Sequence, residues 1–271
     1  MIFAGLSLVS HSLRRVRALV LGMGLLLSSF QVLLVLQAGS IQRAGSFEQM
    51  AALAPPFVRQ LMGDSFLGMM SYGGIISFGY FHPIVMGALV GLMIALSTEP
   101  AAEIETRFVD LILSRPLARH WIITRSTLLP AVGIAVVLSL MLAGTWLGLT
   151  WLAPEGAVWP PTRLIALLAL NLAALMFCWS GLAALLGSMS RRRAVAGATA
   201  GLLALATFFI DYVARVWAPA AYVAWLSPFH YFNPFELVMG KPIPPSHLWI
   251  LAAIAVISFA LAQLVYHKRD V

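Results

Sequence analysis

The sequence predicts an all-α integral membrane protein whose chain crosses the bilayer six times. Of its 271 residues, 61% are hydrophobic and only 10% are charged, a balance too apolar for a water-soluble domain. The apolar runs are about 20 residues long, which is the length that a helix needs to span a bilayer. Strand-like alternation in segments of about 10 residues, which a membrane barrel needs, is missing. Because lipid offers no hydrogen bonds to the backbone, helices are the expected form.

Six segments have the composition of spanning helices, and together they predict a single transmembrane domain over residues 1–271. The first is preceded by arginines, as a cleaved signal peptide is, but its apolar run of about 19 residues exceeds the usual 7–15 of a signal sequence. We therefore expect the first helix to be retained. The six segments lie at about 18–37, 79–97, 126–152, 164–188, 194–215 and 248–266.

The basic residues predict the orientation of these spans. Of the 17 Lys and Arg residues, 12 fall on one side, which the positive-inside rule makes the cytoplasmic side. Both termini are then cytoplasmic, and a plasma (inner) membrane is the expected location. This charge indicates contact with anionic lipid rather than with nucleic acid. The 12 residues are Arg14, Arg15, Arg17, Arg107, Arg115, Arg119, Arg125, Arg191, Arg192, Arg193, Lys268 and Arg269.

Two segments outside the spans have amphipathic or aromatic character. Residues 1–17 predict an interfacial helix at the N-terminus, since apolar residues fall roughly on one face and basic residues follow; a frayed tail carrying topogenic charge is the alternative. The segment 216–247 is rich in aromatic residues, which favour the membrane–water interface. Its repeated prolines exclude an ordinary span, so we expect short, partly re-entrant helices there.

The most charged segment is 98–125, which joins the second and third spans. Ile104, Phe108, Leu111 and Ile112 recur in it at helical spacing, so one face is apolar and the other carries acids and arginines. Such a helix lies along a membrane surface or docks into a partner protein.

Several kinds of chemistry find no support in the sequence. The pair Gly240-Lys241 is followed by proline and lacks the rest of a phosphate-binding P-loop, so the chain does not hydrolyse nucleotide by that route. The six histidines are dispersed without metal-ligand spacing, and the single cysteine, Cys178, forms no disulfide within the chain.

An intramembrane serine protease needs a serine nucleophile and a histidine base at membrane depth. Ser180-Gly181 lies in the fourth span, but the sixth span has His247 and His267 only at its ends. Small residues at a helix–helix contact are therefore the preferred interpretation of Ser180 and Gly181.

An ion-coupled carrier normally places charged residues in mid-membrane, and none of the spans has one at its centre. Asp211 and Arg215, near the outer end of the fifth span, are four residues apart and are predicted to pair. The polar candidates at mid-span are Gln31, Asn171 and Gln263. Asn171 fits an interhelical hydrogen bond better than a substrate ligand.

Three strings of residues carry a family resemblance. The first runs from Ala102 to Arg119 and includes the acidic residues, Asp110-Leu-Ile-Leu and Ser114-Arg115-Pro116; the others are Phe81-His82-Pro83 and Leu226 to Pro234. In this order, with six spans, the chain resembles the permease subunits of ATP-binding-cassette (ABC) transporters of the type-2 exporter class. Arg107-Phe108 departs from the Gly-Thr that the family usually has.

The resemblance implies a partner and a mechanism. The segment 98–125 is similar to a coupling helix, which inserts into a separate ATPase subunit that binds ATP and Mg; this chain itself needs no cofactor and is not an enzyme. The chain is then half of a dimer with a second permease copy, and faces of the first, second and fifth spans border the substrate path. The expected ATPase-binding residues are Glu103, Glu105, Arg107, Phe108, Asp110, Leu111, Arg115, Pro116 and Arg119, and the expected path residues are Asn171, Phe208 and Phe209.

The function expected from the resemblance is export of an apolar or amphipathic substrate. A membrane scaffold or assembly factor that binds an ATPase without transport is the alternative, and an intramembrane hydrolase is a weaker one. A solvated or lipid-surface helix remains the alternative for the segment 98–125.

Overall fold

The structure is a computed structural model that describes residues 2–45, 71–106 and 120–268. Within these ranges the chain is helical and contains no β-strand. The elements are α1 (Ile2–Arg43), α2 (Tyr72–Phe78), α3 (Pro83–Ser97), α4 (Glu99–Glu105), α5 (His120–Leu152), α6 (Thr162–Met189), α7 (Arg193–Ala214), α8 (Ala218–Ala224), a short 3-10 helix (Pro228–Tyr231), α9 (Pro234–Val238) and α10 (Pro245–His267).

The predicted fold class is confirmed. In the part of the chain that the structure describes, six helical segments are long and apolar enough to cross a membrane, and each coincides with a span expected from the sequence. The second is made of α2 and α3, which are joined by a tight turn at 79–82. The protein is therefore a multi-pass membrane protein. The six segments are Val9–Arg43, Tyr72–Ser97, Thr124–Leu152, Thr162–Met189, Arg193–Ala214 and Pro245–His267.

The N-terminal segment is helical and continues into the first span without a break, while its interfacial position stays a prediction. The structure has no helix boundary near residue 17, because α1 continues for 42 residues without a break. Arg14, Arg15 and Arg17 are exposed on its surface, and exposed arginines do not interrupt a helix because their side chains extend into water. At 1.5 Å per residue, α1 is about 63 Å long, roughly twice the thickness of the hydrocarbon core.

The third span also begins earlier than expected, since α5 starts at His120. Arg125 therefore lies within the first turns of a helix and not in a loop. Within the segment 98–125, the helix before the range 107–119, which is not described, is α4, and it ends at Glu105.

Helix α6 is the centre of the bundle and packs against α3, α5, α7 and α10. Its core face is fully buried and includes Trp179. Gly181 permits a close approach to α10, since a Cβ atom at this position would lie 2.7 Å from the carbonyl oxygen of Ala255. The hydroxyl of Ser180 donates to the carbonyl oxygen of Met176 at 2.8 Å. Gly181 is thereby confirmed as a small residue at a helix–helix contact, while Ser180 is buried and bonded within α6.

Helix α1 packs chiefly along α5. The contact is closest at Gly144, where a Cβ atom would collide with the backbone and side chain of Ser28. Small residues at such a seam let two backbones approach, which is how helices associate in a membrane.

The segment 216–247 forms the short helices that the prolines predict, while their re-entrant arrangement stays a prediction. Trp217, Tyr222 and Trp225 are exposed, whereas Phe229 is buried and its ring lies 5.7 Å from that of Trp179. We call this the aromatic end of the bundle. The opposite end, where Arg15, Arg125 and Arg193 lie, is called the arginine-rich end.

Candidate functional site

The arginine-rich end contains a short helix, α4, that carries three carboxylates. Helix α4 follows α3 after Thr98, whose hydroxyl donates to the carbonyl oxygen of Ile94 at 2.8 Å. It packs against α5, α6 and α7. Each of its carboxylates, on Glu99, Glu103 and Glu105, contacts a different set of helices.

Glu103 forms a buried ion pair with Arg125 at the start of α5. Arg125 Nη1 donates to Glu103 Oε1 at 2.6 Å, and the two side chains are 3% and 6% exposed, respectively. A buried charge is tolerated only when it is paired, because taking an isolated ion out of water is very unfavourable. This ion pair therefore fixes α4 on α5.

Glu99 lies between two arginines from different helices. Its Oε1 is 3.2 Å from Arg193 Nη2 at the start of α7, and its Oε2 is 3.7 Å from Arg15 Nη1 on α1. Arg193 Nη2 also donates to the carbonyl oxygen of Ala95 at 3.0 Å. One carboxylate thus links α1 and α7 to the junction of α3 and α4.

Glu105 caps the N-terminus of α7. Its Oε2 accepts a hydrogen bond from the backbone N–H of Arg193 at 2.9 Å. The N-cap residue of α7, Arg192, makes no capping hydrogen bond through its own side chain, so α4 supplies the acceptor. A carboxylate there also complements the positive end of the helix dipole.

The predicted ATPase-binding residues divide into three groups. Glu103 does not fit a docking role, because its carboxylate is buried and paired with Arg125. Glu105 is exposed but already bonded to the backbone of Arg193. The others lie outside the described residues, and for them the role stays a prediction: Arg107, Phe108, Asp110, Leu111, Arg115, Pro116 and Arg119.

An apolar cavity of about 280 Å³ lies between α3 and α7. Three glycines on its wall, Gly87, Gly91 and Gly201, have no neighbouring atom within 4 Å of the place where a Cβ would lie. All the side chains that line it are apolar, so it suits a hydrocarbon group rather than an ion. The lining residues are Pro83, Met86, Gly87, Val90, Gly91, Ile94, Gly201, Ala204, Leu205, Phe208 and Phe229.

The two ends of this cavity differ in chemistry. At the arginine-rich end Ile94 lines the wall, and the next residue, Ala95, accepts the hydrogen bond from Arg193. At the aromatic end the rings of Phe208 and Phe229 meet edge to face at 5.4 Å. The cavity is therefore bounded by a charged contact at one end and by aromatic rings at the other.

Of the three predicted path residues, Phe208 and Phe209 are neighbours on α7 with ring centroids 6.1 Å apart, whereas Asn171 lies on α6. Phe208 lines the cavity, whereas Phe209 is 53% exposed on the outer surface of α7. Asn171 is fully buried on α6, and its amide has no hydrogen-bond partner among the described residues. It lines neither this cavity nor the one of about 470 Å³ at the aromatic end beside Gln42 and Trp159. Asn171 therefore lies in the buried core of the bundle and outside both of these cavities.

The sequence does not show which residues pair with the acidic side chains. Arg15, Arg125 and Arg193, which in the sequence indicate only topology, each contact a carboxylate of α4. One signal was available: each of these arginines stands at the end of an apolar run, where a charge at the boundary of lipid needs a partner. The glycines of the cavity gave no such signal.

The predicted pair at the aromatic end is confirmed. Arg215 donates to Asp211 Oδ2 through Nη2 at 2.8 Å and through Nε at 3.1 Å. His230 Nδ1 lies 3.8 Å from the other carboxylate oxygen, so Asp211 also faces the 3-10 helix.

No family model and no curated protein matches the sequence.

Proposed function

We propose that this chain is the membrane subunit of an ATP-driven ABC exporter, and that the segment 98–125 transmits the work of a separate ATPase subunit. The observation that carries the proposal is the set of contacts made by α4, the first part of that segment. Its three carboxylates reach Arg15 on α1, Arg125 on α5 and Arg193 on α7. A displacement of this segment is therefore passed to three spanning helices at once.

The ionic contacts of α4 allow the helices that they join to move together as rigid bodies. Charge-assisted hydrogen bonds are short and directional, and packed helices respond to such a pull by tilting or sliding as units. The pair Glu103–Arg125 holds α4 on α5, while Glu99 and Glu105 act on the start of α7. ATP and Mg are bound by the ATPase subunit, and this chain contributes no catalytic residue.

The apolar lining of the cavity between α3 and α7 supports the proposal that the substrate is apolar or amphipathic. These helices belong to the second and fifth spans, which would border the substrate path if the family resemblance holds. Arg193 connects the cavity to the ATPase-facing segment, because it bonds both to Ala95 beside the cavity wall and to Glu99. A second copy of the chain would complete the path, with both termini in the cytoplasm.

The test is co-purification of the chain with an ATPase, followed by reconstitution into vesicles. We expect ATP hydrolysis that is inhibited by vanadate and stimulated by a translocated compound. The double variant Phe108→Ser, Asp110→Arg should lose the bound ATPase, because it replaces the expected apolar anchor and reverses a charge. Arg43→Gln, an exposed change at the opposite end of α1, is the matched control.

The alternatives give different results in the same experiment. An ATPase that stays bound to the double variant with unchanged stimulation contradicts the docking proposal. A bound ATPase whose activity no translocated compound alters indicates the scaffold. Labelling of Ser180 by a serine-reactive probe would indicate that the chain is an intramembrane hydrolase.

A further inference from the structure

Two clusters of arginines meet at the arginine-rich end. The first is on α1 and the second leads into α7, so they are far apart in the chain. They are brought together by Glu99, whose two oxygens contact one arginine from each cluster, Arg15 at 3.7 Å and Arg193 at 3.2 Å. We call the six residues the arginine patch: Arg14, Arg15, Arg17, Arg191, Arg192 and Arg193.

The arginine patch has a large excess of positive charge. Glu99 is shared by two arginines, and Glu105 is occupied by a backbone N–H. Among the described residues, no carboxylate pairs with the other four arginines, all of which are exposed. Arg15 itself stays 65% exposed beside Glu99. The patch therefore has guanidinium groups available for a further anion.

Exposed apolar side chains lie within about one helical turn of these arginines. Leu19 on α1 is 48% exposed, Val195 on α7 is 50% exposed, and Met189 at the end of α6 is 61% exposed. Arginines whose neighbours on the same helix face lipid lie at headgroup depth. An occupant that matches both surfaces has an anionic head and an apolar tail.

We infer that the arginine patch binds the phosphate headgroup of an anionic phospholipid, which competes with Glu99 for Arg15 and Arg193. A guanidinium donates two parallel hydrogen bonds to phosphate oxygens, and the acyl chains lie against the exposed apolar residues of α1 and α7. The exposed apolar side chains beside the arginines favour a lipid over a soluble protein as the occupant. This inference does not depend on the transport function, because it concerns the chain and the bilayer alone.

The site is tested by native mass spectrometry of the full-length chain in detergent, titrated with dioctanoyl phosphatidylglycerol or dioctanoyl phosphatidylcholine. The wild-type chain should bind the anionic lipid more tightly, with a preference that falls as salt is added. The double variant Arg191→Gln, Arg192→Gln should bind phosphatidylglycerol about tenfold more weakly, since each basic side chain near the surface contributes to such binding. Both arginines are exposed and unpaired among the described residues, so this variant should fold.

Two further variants sharpen the test. Glu99→Gln removes the competing carboxylate and should strengthen phosphatidylglycerol binding, a direction opposite to that of the arginine variant. The double variant Arg43→Gln, Arg163→Gln removes two exposed arginines outside the patch and should leave binding unchanged. Inorganic phosphate at the same concentration should not displace the lipid, because it lacks the apolar tail.

Three outcomes would overturn the inference. The first is equal binding of the two lipids, and the second is loss of the preference in the control variant but not in the patch variant. The third is an unchanged lipid preference in Arg191→Gln, Arg192→Gln. Loss of a co-purified ATPase from that variant would then make the patch a protein interface. Should Glu99→Gln fail to fold, the comparison of the two arginine double variants decides the question alone.

Discussion

The ionic contacts at the two ends of α7 are organised differently. At the arginine-rich end, Arg193 contacts groups from other elements, namely Glu99 and Glu105 of α4 and the carbonyl oxygen of Ala95. At the aromatic end, Asp211 pairs with Arg215, the C-cap residue of the same helix, and His230 Nδ1 lies 3.8 Å from its other carboxylate oxygen. The first arrangement joins α7 to its neighbours, whereas the second neutralises charge within α7.

This difference determines where a force can be applied to α7. A pair within one helix moves with that helix and transmits nothing through its ionic bonds. A pair between helices resists their separation and transmits displacement from one to the other. Under the proposed function, α7 is therefore driven from its arginine-rich end. At the aromatic end the rings of Phe208 and Phe229 pack edge to face.

The largest effect is expected for the most deeply buried contact of α4. Arg125→Ala leaves the carboxylate of Glu103 buried without its partner, which should lower the free energy of unfolding by about 3–5 kcal/mol. Thermal or chemical unfolding in detergent measures it. The double variant Glu103→Leu, Arg125→Met should recover most of the loss, because an apolar pair leaves no unpaired charge. A double variant no more stable than Arg125→Ala would contradict this explanation.

A smaller loss is expected at the start of α7. Arg193→Gln removes the contact with Glu99 and the bond to Ala95, and should lower the free energy of unfolding by about 1.5–3 kcal/mol. Arg192→Gln is the matched control, since the neighbouring arginine is exposed and its substitution should cost less than about 0.5 kcal/mol. Equal effects of the two changes would mean that the contacts of Arg193 do not join α7 to its neighbours.

Filling the cavity between α3 and α7 should abolish activity without lowering the free energy of unfolding. A Cβ atom at Gly201 meets no neighbouring atom within 4 Å, so Gly201→Leu should extend into the cavity and raise helix stability by up to about 1 kcal/mol, while substrate-stimulated ATP hydrolysis is lost. Gly22→Leu, at another glycine with open space around it, should gain stability similarly and keep its activity. Full stimulation in Gly201→Leu would exclude the cavity from the substrate path.

The smallest effect is expected at the aromatic end. Asp211→Asn breaks a pair within one helix and leaves Arg215, whose side chain is 45% exposed, able to reach water. The free energy of unfolding should fall by only about 0.3–0.5 kcal/mol, as measured by the same unfolding assay. A loss above about 2 kcal/mol would show that His230 and the 3-10 helix depend on Asp211, and would remove the contrast between the two ends of α7.

The spans and the local pair could be predicted from the sequence because both depend on short-range patterns. Six apolar runs correspond to six spanning segments, and the spacing of Asp211 and Arg215 predicts their contact. The continuity of α1 could not be predicted in this way, because three arginines in an apolar context resemble the end of a helix although they only extend from its surface.

The partners of α4 could not be predicted because they are distant in the chain. Glu103 meets an arginine 22 residues away, and Glu105 meets a backbone group 88 residues away. An acidic residue in a charged segment looks exposed in the sequence, and only the packing of α4 on α5 shows that Glu103 is buried. The cavity depends on where glycines of α3 and α7 face each other, which no local pattern records.

Because α1 is one continuous helix, a tilt at one of its ends displaces the other end. Arg15, which Glu99 holds at one end, and Gln42, which lines the cavity at the aromatic end, lie on the same rigid rod, about 40 Å apart along its axis. Over this distance of about 40 Å, a tilt of about 8° around Arg15 shifts Gln42 by roughly one helical pitch, 5.4 Å. A small rotation at the ion pair on one face of the membrane is thereby enlarged into a displacement on the opposite face.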